Sequence, residues 1–468
     1  GEERFSYILH AYCCGQHPFK LRDDKIPILR LGAAAKINAE VQEFAELAAK
    51  PRTSFEELGR LWHDTPVVAT TCLGVNHAIF NERTFDYCIV DEASQITLPV
   101  CLGPIRMART FVLVGDHNQL PPLVQNEAAR TGGLDVSLFK LLSDAHPPAV
   151  VNLEHQYRMC AEVMALSNEL IYSGRLKCGT PEIAARSISI PNIANLQTHH
   201  FSPSTMSRAG KTICAAPAKG QCWIRDLLDP ETKACFVNTD TLVPRPREEA
   251  KGNRIVNPTE ATVCSQLVQA LLSVGVPGTE IGVMTHYRSQ LALLKHNLRS
   301  HQEVEMHTCD RFQGRDKEVV VISLVRSNEA GGIGELLRDW RRINVAFTRA
   351  KTKLLVVGSG STLKGGEGGA EEMVGQFVRL MERKSWVYNL PGGALDSHCF
   401  DDAATQASGI AAATPEKGVW KQLDLKAARK PKSEGKENLK GAKRAVINER
   451  ALFAGKPVLR DIMNEARQ

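Results

Sequence analysis

Short apolar runs recur along the chain, and each one ends in a polar or glycine-containing turn. The first series of runs lies at 66–71, 85–90, 110–114 and 149–153. A second series lies at 281–285, 319–325 and 354–358, with helical patterns between runs at 160–172, 259–274 and 289–299. Apolar strands of this length that are joined through helices are typical of a parallel sheet buried on both faces. The pattern predicts an α/β protein with two parallel-sheet lobes in tandem.

Three regions depart from this regularity. Residues 1–66 are irregular apart from a helical pattern at 33–49, and residues 180–250 are rich in Pro and Ser, which predicts an insertion. After about Pro391 the content of Ala, Gly, Lys and Ser rises. The stretch 421–444 is too basic and too poor in apolar residues to fold alone. We therefore predict a partial first lobe in 1–146, a second lobe in 147–390, and a disordered, low-complexity basic tail in 391–468.

Charge is unevenly distributed between the tail and the rest of the chain. The net charge is +6, yet from Lys417 to the end 14 Lys and Arg stand against 6 Asp and Glu. The rest carries 44 basic and 46 acidic residues, so net charge does not predict nucleic-acid binding by the folded body. No apolar run approaches the ~20 residues of a membrane span. Thirteen cysteines lack zinc-site spacing, which favours reduced, packed thiols.

Two acidic residues follow directly after one predicted strand. The apolar run Cys88-Ile89-Val90 leads into Asp91 and Glu92. Ligands of α/β proteins bind at the carboxyl ends of the strands. One carboxylate there can hold Mg²⁺, and its neighbour can orient an attacking water. An Asp-Glu pair after a strand is also common in proteins without this chemistry. Whether the pair is catalytic therefore depends on the other polar segments of the chain.

Four further polar segments lie beside predicted strands, at 115–122, 154–159, 308–318 and 340–351. The first is equally well explained as a turn closed by Pro121-Pro122. Arg158 in the second suits phosphate oxygens because its planar fork donates two hydrogen bonds, although a lone Arg is more often a salt-bridge partner. In the last segment, Arg342, Ala346 and Arg349 would share one helix face. That arrangement would present Arg349 outward from the second lobe, as an arginine finger requires.

In this order the segments resemble motifs II to VI of the superfamily 1B helicases. They read Asp-Glu-Ala-Ser-Gln at 91–95, Gly-Asp-His-Asn-Gln-Leu-Pro-Pro at 115–122, Gln-Tyr-Arg-Met at 156–159, Phe-Gln-Gly-Arg-Asp at 312–316 and Asn-Val-Ala-Phe-Thr-Arg-Ala at 344–350. Five motifs together are highly specific, and the resemblance covers about residues 65–390. The flanks Ser-Asn-Glu-Leu at 167–170 and Val-Arg-Ser-Asn at 325–328 are most similar to the helicase-nucleases of eukaryotic DNA replication. The resemblance implies two RecA-like lobes with the P-loop NTPase fold.

The resemblance also implies a role for individual residues. Asp91 would hold Mg²⁺, Glu92 would position or deprotonate the lytic water, and Gln119 would sense the γ-phosphate. Arg158 and Arg349 would stabilise charge on the transferred phosphoryl group. The nucleotide cleft would be completed by Asp116, Gln313, Gly314 and Glu318. Weaker candidates for the nucleic-acid path are Thr70, Thr71, Tyr287 and Thr308. Tyr287 lies in a segment that begins with Thr285, where the family usually has Pro, and this departure puts its assignment in doubt.

One expected motif does not occur. A phosphate-binding loop needs GxxxxGK[ST], whose backbone N–H groups and Lys wrap the β- and γ-phosphates. Gly210-Lys211-Thr212 has Thr205 where the first Gly should stand, and it falls inside the predicted insertion. We therefore expect the first lobe to be incomplete, through truncation of a longer protein or divergence to an inactive form. The intact motifs II to VI favour truncation, and the chain alone would then be inactive.

Three functions remain open from the sequence. The first is a 5′–3′ DNA helicase motor that uses ATP and Mg²⁺ on single-stranded, flapped or forked DNA. The second is an RNA or RNA–DNA helicase of the same superfamily. The third is an ATPase-inactive strand-binding fragment tethered by the basic tail. The resemblance further implies an upstream nuclease domain with an iron–sulfur cluster, replication protein A as a partner, no membrane, and the nucleus as location, with the mitochondrion as the alternative.

Overall fold

The structure is a computed structural model that describes residues 7–10, 26–32, 44–45, 55–196, 219–365, 372–396 and 398. The predicted helix at 33–49 and almost all of the predicted tail lie outside these ranges. No described helix is long and apolar enough to cross a membrane. The described cysteines are free thiols, and all but Cys178 are buried, in agreement with the prediction of packed cysteines.

The strands β1 to β15 are Tyr7–His10, Ile28–Arg30, Val67–Thr70, Phe85–Val90, Ala108–Leu113, His155–Gln156, Lys177–Cys178, Ala234–Asn238, Glu249–Lys251, Arg254–Val256, Ile281–Thr285, Glu305–Thr308, Lys317–Ser323, Ala350–Gly358 and Val387–Asn389. The helices α1 to α15 are Phe55–Asp64, Ile79–Glu82, Leu98–Ile105, Glu127–Thr131, Leu138–Ala145, Ala161–Leu170, Pro181–Ala185, Trp223–Leu228, Pro258–Ser273, Arg288–Asn297, Cys309–Phe312, Glu335–Arg338, Trp340–Phe347, Gly360–Gly365 and Met373–Arg383.

The first sheet has the strand order β2-β3-β1-β4-β5, and all its pairs are parallel. Its core is built from apolar side chains of β3, β4 and the helices α2 and α3, including Val68, Ile79 and Phe85. β4 carries the apolar run that precedes Asp91, and its Cys88 and Val90 are fully buried. Burial of this strand fixes the place where the acidic pair leaves the sheet.

The second sheet has the order β12-β11-β13-β14-β8-β15 and is also parallel throughout. β13 and β14 lie at its centre, and their apolar runs are almost completely buried, as expected for a sheet covered on both faces. Two parallel sheets with helices between the strands confirm the predicted α/β class. The first sheet's helices pack on a core separate from that of the second sheet.

Two predictions about individual strands are wrong. The strand β8 lies inside the segment predicted as an insertion. It was missed because its apolar run Ala234–Val237 is short and follows a Pro-containing turn. The strand predicted at 149–153 is absent. Residues Pro147–Ala149 form a 3₁₀ turn, and Val151 and Leu153 are more than 80% exposed and pair with no described strand. An apolar run therefore identified a strand only where a neighbouring strand accepts its hydrogen bonds.

β5 is an edge strand among the described residues of the first sheet. It pairs with β4 on one side only. Phe111 and Val112 on β5 are 43% and 45% exposed, and Val114 just beyond it is 39% exposed. The strand thus combines unpaired backbone groups with apolar side chains that water can reach.

A fully buried carboxyl group holds the loop after β13. Glu260 in the first turn of α9 accepts hydrogen bonds from Val325 N–H and Ser323 Oγ, both at 2.8 Å, and from Asn257 Nδ2 at 3.2 Å. Val325 has φ = 73°, which is unfavourable for a β-branched residue and has to be compensated by such contacts. Burial outweighs these hydrogen bonds and raises the pKa of Glu260 to about 8.

We expect the stability of the second lobe to fall as pH rises, because of Glu260. Its folded-state pKa lies above the ordinary carboxyl value, so the folded protein binds the proton more tightly than the unfolded chain. The stabilising contribution is complete below pH ~4.5 and is lost as the pH rises through about 8. Urea midpoints measured between pH 5 and 8 should fall in the wild type, whereas Glu260→Gln should remove this group's share of the slope.

The exposed Glu280 offers a matched control, since Glu280→Gln removes a carboxyl from the loop before β11. We expect that variant to keep the wild-type slope. Equal slopes in the wild type and Glu260→Gln would contradict the assignment. Glu260→Ala should in addition lower the free energy of unfolding by ~3 kcal/mol, because it leaves buried donors without an acceptor.

Candidate nucleotide site between the two sheets

The acidic pair leaves the carboxyl end of β4 as predicted. Glu92 adopts a left-handed backbone conformation with φ = 52°, a strained state that is common at functional sites. Its N–H donates to Asp91 Oδ1 at 2.9 Å, and its carboxylate accepts a hydrogen bond from Gln95 Nε2 at 2.6 Å. Burial is the main cause that raises the pKa of Glu92, and the neighbouring Asp91 adds to it. Both effects strengthen Glu92 as a proton acceptor.

The loop after β5 lies against this pair. A Cβ at Gly115 would come within 2.9 Å of Ser94 N, so only glycine allows the loop to approach so closely. Asp116 N–H donates to Ser94 Oγ at 3.3 Å, and Asp116 Oδ2 accepts from Gln119 Nε2 at 3.1 Å. Gln119 Oε1 in turn accepts from Gln313 Nε2 at 3.4 Å. The loop therefore links the acidic pair of the first sheet to the second sheet.

Two arginines of the second lobe converge on one carboxylate. Arg158 Nε lies 2.7 Å from Asp316 Oδ2, and Arg349 Nη1 lies 3.9 Å from Asp316 Oδ1. Arg158 Nη1 also donates to Thr348 O at 3.4 Å. Burial, followed by the charge of Arg158, lowers the pKa of Arg349 to about 10, and the carboxylates of Asp316 and Glu92 oppose this shift. The two guanidinium groups therefore lie together at the Asp316 carboxylate.

The structure corrects the predicted placement of Arg349. Helix α13 ends at Phe347, so Arg349 follows the helix and does not share a helical face with Arg342. It is 2% exposed, donates from Nε to Val345 O at 3.0 Å and from Nη2 to Thr348 Oγ1 at 2.9 Å, and does not project into solvent. Arg342 instead pairs with Asp310 at 3.0 Å. The guanidinium is held in place from within the second lobe.

The other candidates for the nucleotide cleft are divided. Gln313 contacts the Gln119 side chain, and Gly314 has φ = 76°, which favours glycine. Glu318 forms ion pairs with Arg186 at 2.7 Å and Lys351 at 3.5 Å within the second lobe. The structure thus brings Gln313 to the cleft, whereas Glu318 forms its ion pairs with residues of the second lobe.

The four candidates for the nucleic-acid path differ in exposure. Thr71 is exposed and Thr308 is half-buried, but Thr70 is 1% and Tyr287 is 7% exposed. The hydroxyl of Tyr287 donates to Ile333 O at 3.5 Å. A base could stack on Tyr287 only after this ring had left its pocket. The structure does not bring the four residues together as one open surface.

Two residues of the cleft were missed by the sequence analysis. Tyr172 Oη donates to Asp116 Oδ2 at 2.6 Å, and Asn344 Nδ2 donates to Tyr172 Oη at 3.0 Å and to Asn118 O at 2.9 Å. Asn344 lies within the motif quoted at 344–350, which indicated the segment but not this contact. Tyr172 ends the predicted helical pattern at 160–172, and nothing in that pattern distinguished it from a packing residue.

The residues present fit the phosphate end of a nucleotide with its magnesium ion. The charge of Arg158 lowers the pKa of Arg349, and an anion with several negative oxygens would offset this repulsion between the two guanidinium groups. Among the described residues, Gln313 Oε1 and Asn344 Oδ1 are buried acceptors without a hydrogen-bond partner, and they suit a donor such as a water molecule at the cleft and not a phosphate oxygen. Asp91 offers the carboxylate oxygen that Mg²⁺ prefers. The motif GxxxxGK[ST], which would hold the β-phosphate, does not occur in the sequence.

Comparisons with known proteins show which family the chain is similar to. Two family models described as "AAA domain" match residues 134–361 and 30–127. The DNA replication ATP-dependent helicase/nuclease DNA2 of Saccharomyces cerevisiae is 43% identical over 387 residues, which are 82% of this chain and 24% of the yeast protein. The Homo sapiens protein of the same name is 43% identical over 361 residues, 76% of this chain and 33% of the human protein. The chain therefore spans about a quarter to a third of these relatives.

A solved complex of arterivirus nonstructural protein 10 (helicase) with DNA is 14% identical, with a TM-score of 0.36 over 79% of this chain and 56% of that chain. This likeness is too low to carry an argument. The identity to the curated relatives is high, and the two family matches extend from the first sheet through the second. The chain belongs to the superfamily 1 helicases, and it is similar to the helicase region of the DNA replication helicase/nucleases.

Proposed function

We propose that this chain is the C-terminal motor part of an ATP-dependent 5′–3′ DNA helicase that couples ATP hydrolysis to translocation on single-stranded DNA. The observation that carries the proposal is that motif residues of the two lobes meet at one cleft, where Gln313 Nε2 of the second lobe donates to Gln119 Oε1 of the first at 3.4 Å and Asn344 Nδ2 donates to Asn118 O at 2.9 Å. Glu92 leaves the first sheet beside this first-lobe loop, and Arg158 and Arg349 of the second lobe lie together at Asp316. A site that spans two lobes can open and close with each turnover, which is how chemistry drives movement along a strand.

Each residue of the cleft has a role in this proposal. Asp91 holds Mg²⁺, and the raised pKa of Glu92 suits a base that orients and deprotonates the lytic water. Arg158 and Arg349 offset negative charge that develops on the transferred phosphoryl group. The hydrogen bonds from Gln119 to Asp116 and from Gln313 to Gln119 couple the γ-phosphate end of the cleft to the second lobe. ATP with Mg²⁺ supplies the phosphoryl group when bound.

The proposed domains follow the two cores. The apolar core of the first sheet includes residues from Leu29 to Phe139, and that of the second begins at Met159. This supports a first motor lobe in 1–146 and a second in 147–390. A basic tail in 391–468 is proposed from its composition, although Ala394 and His398 at its start are buried, and Trp223 and Gln266 of the second lobe donate hydrogen bonds to their carbonyl oxygens. An upstream nuclease domain with an iron–sulfur cluster, single-stranded, flapped or forked DNA and replication protein A as partners, and a nuclear or mitochondrial location are part of the same proposal.

The first measurement is ATP hydrolysis by this chain and by the full-length protein, with and without single-stranded DNA. We expect strand-stimulated turnover in the full-length protein and none in the chain alone, because the sequence lacks GxxxxGK[ST]. Turnover by the chain alone would mean that another segment holds the β-phosphate. No strand-stimulated turnover in the full-length protein would overturn the motor function.

A second candidate, an RNA or RNA–DNA helicase of the same superfamily, would use the same residues of the cleft. Stimulation by DNA and RNA strands of equal length separates the two, and stronger stimulation by RNA would favour the second candidate. A third candidate, a strand-binding fragment without ATPase activity, has the missing GxxxxGK[ST] in its favour. It predicts strand binding by this chain whose affinity does not change when nucleotide is added.

A further inference from the structure

The hydroxyl group of Tyr172 joins the two lobes at the cleft. It donates to Asp116 Oδ2 at 2.6 Å in the loop after β5, and it accepts from Asn344 Nδ2 at 3.0 Å in helix α13. Asn344 Nδ2 also donates to the carbonyl oxygen of Asn118 at 2.9 Å. A hydrogen bond from a phenol to a carboxylate is charge-assisted and stronger than a bond between neutral groups. One oxygen atom therefore connects the first-lobe loop to the helix that precedes Arg349.

The backbone around Tyr172 fixes the position of this phenol. The N–H of Tyr172 donates to Ser167 O at 3.1 Å, and its carbonyl oxygen accepts from Arg175 N–H at 3.1 Å. Ser173 and Gly174 both have positive φ, 55° and 74°, so the chain turns sharply directly after the ring. A tyrosine at the end of a helix and the start of a tight turn has little freedom to leave the cleft.

The surroundings of Tyr172 connect it to the charged groups of the site. Burial, followed by the charge of Asp116, raises the pKa of Tyr172, whereas Arg349 acts in the opposite direction. Asp116 also accepts a hydrogen bond from Gln119, and Asn344 is completely buried in helix α13, which ends two residues before Arg349. Leu120 in the same first-lobe loop packs against the core of the second sheet. The loop is thus docked on the second lobe through polar and apolar contacts.

We propose that Tyr172 is a positioning residue that couples the first-lobe loop at Asp116 to Asn344 of the second lobe. Through this coupling, closure of the cleft between the lobes sets the position of Arg349. This inference rests on the proposed motor function. Tyr172 itself touches no reacting atom in this scheme. When the lobes separate, the hydrogen bonds to Asp116 and Asn118 break together with those from Gln313 to Gln119 and from Arg341 to His117 O, and they re-form when the lobes close.

Tyr172→Phe in the full-length protein tests the coupling, because it removes one oxygen and keeps the ring. The probe is a 20-nucleotide thymidine strand, whose affinity is measured with and without a non-hydrolysable ATP analogue. We expect nucleotide to change this affinity at least fivefold less than in the wild type, within the usual range of coupling between sites. We also expect kcat for ATP to fall about tenfold, as for loss of one charge-assisted hydrogen bond, with KM within twofold.

Tyr388→Phe is the matched control. Tyr388 Oη donates to Asp226 Oδ2 at 2.9 Å on β15 at the far edge of the second sheet, so this variant loses the same kind of bond away from the cleft. We expect wild-type kinetics and coupling in this control, and equal urea midpoints for the two variants. Asn344→Ala cuts the link from the other side, and the double variant with Tyr172→Phe should be no worse than the more severe single one.

The outcomes separate the inference from the function on which it rests. If Tyr172→Phe matches Tyr388→Phe in coupling and in kcat, the inference is wrong and the motor function stands. If the effects of Tyr172→Phe and Asn344→Ala multiply in the double variant, the two residues act independently and the inference is also wrong. If the wild-type protein shows neither strand-stimulated turnover nor nucleotide-dependent strand affinity, the motor function fails first, and the inference fails with it.

Discussion

Replacing Glu92 by Gln in the full-length protein should lower ATP turnover by roughly 10²–10⁴-fold, the usual contribution of a general base. The amide keeps the size of the side chain and its contact with Gln95, but it cannot accept a proton. Strand binding in the presence of nucleotide should persist, because Asp91 and the two arginines are unchanged. The rate of phosphate release, measured with saturating single-stranded DNA, gives the result directly.

Glu127→Gln is the control for this change. Glu127 is an exposed residue of helix α4 in the first lobe, and it forms a 3.8 Å ion pair with Arg130 on the same helix. It should hydrolyse ATP like the wild type. Turnover of Glu92→Gln within twofold of that control would remove Glu92 from the role of base.

The second large effect is expected at Arg349. Lysine at this position keeps a positive charge but loses the planar fork that donates to Val345 O and Thr348 Oγ1. We expect turnover to fall about 10³-fold or more in Arg349→Lys, the order found for loss of an arginine finger. Single-turnover kinetics with radiolabelled ATP separate this loss of chemistry from a loss of nucleotide affinity.

Arg338→Lys makes the same exchange on helix α12, where Arg338 is 57% exposed and pairs with Glu372. Its turnover and its urea midpoint should equal those of the wild type. Since Arg349 is buried, the midpoint of Arg349→Lys also has to be measured, and Arg158→Lys offers a less buried test of the same charge. Wild-type turnover in both variants would exclude the two arginines from phosphoryl transfer.

The sequence predicted those parts of the fold that depend on local pattern. The buried runs at β4, β11, β13 and β14 were found because each is long, apolar and ended by a polar turn. β8 was missed, and a strand at 149–153 was predicted wrongly, because pairing depends on which strand lies alongside and not on the run itself. Position in a sheet is a tertiary property that a single apolar run does not encode.

The candidate site shows the same division. Asp91, Glu92, Arg158 and Arg349 were identified from motifs, because their residue types and order are specific. The contact from Tyr172 to Asp116 joins residues 56 positions apart, and it exists only because the two lobes meet. The burial of Tyr287 and Thr70 could not be predicted from the sequence either, since the exposure of a side chain depends on which residues pack over it in the fold.

The edge strand β5 has a consequence for how this polypeptide behaves in solution. No described strand pairs with the outer side of β5, and its N–H and C=O groups there, flanked by Phe111, Val112 and Val114, form a template onto which a strand of another molecule can add. Proteins usually blunt such an edge with a charged residue or a proline, and Arg109 and Thr110 are the polar residues that this strand offers. Whenever β5 is uncovered, intermolecular pairing competes with the native state, and concentration then decides how much of the chain stays monomeric.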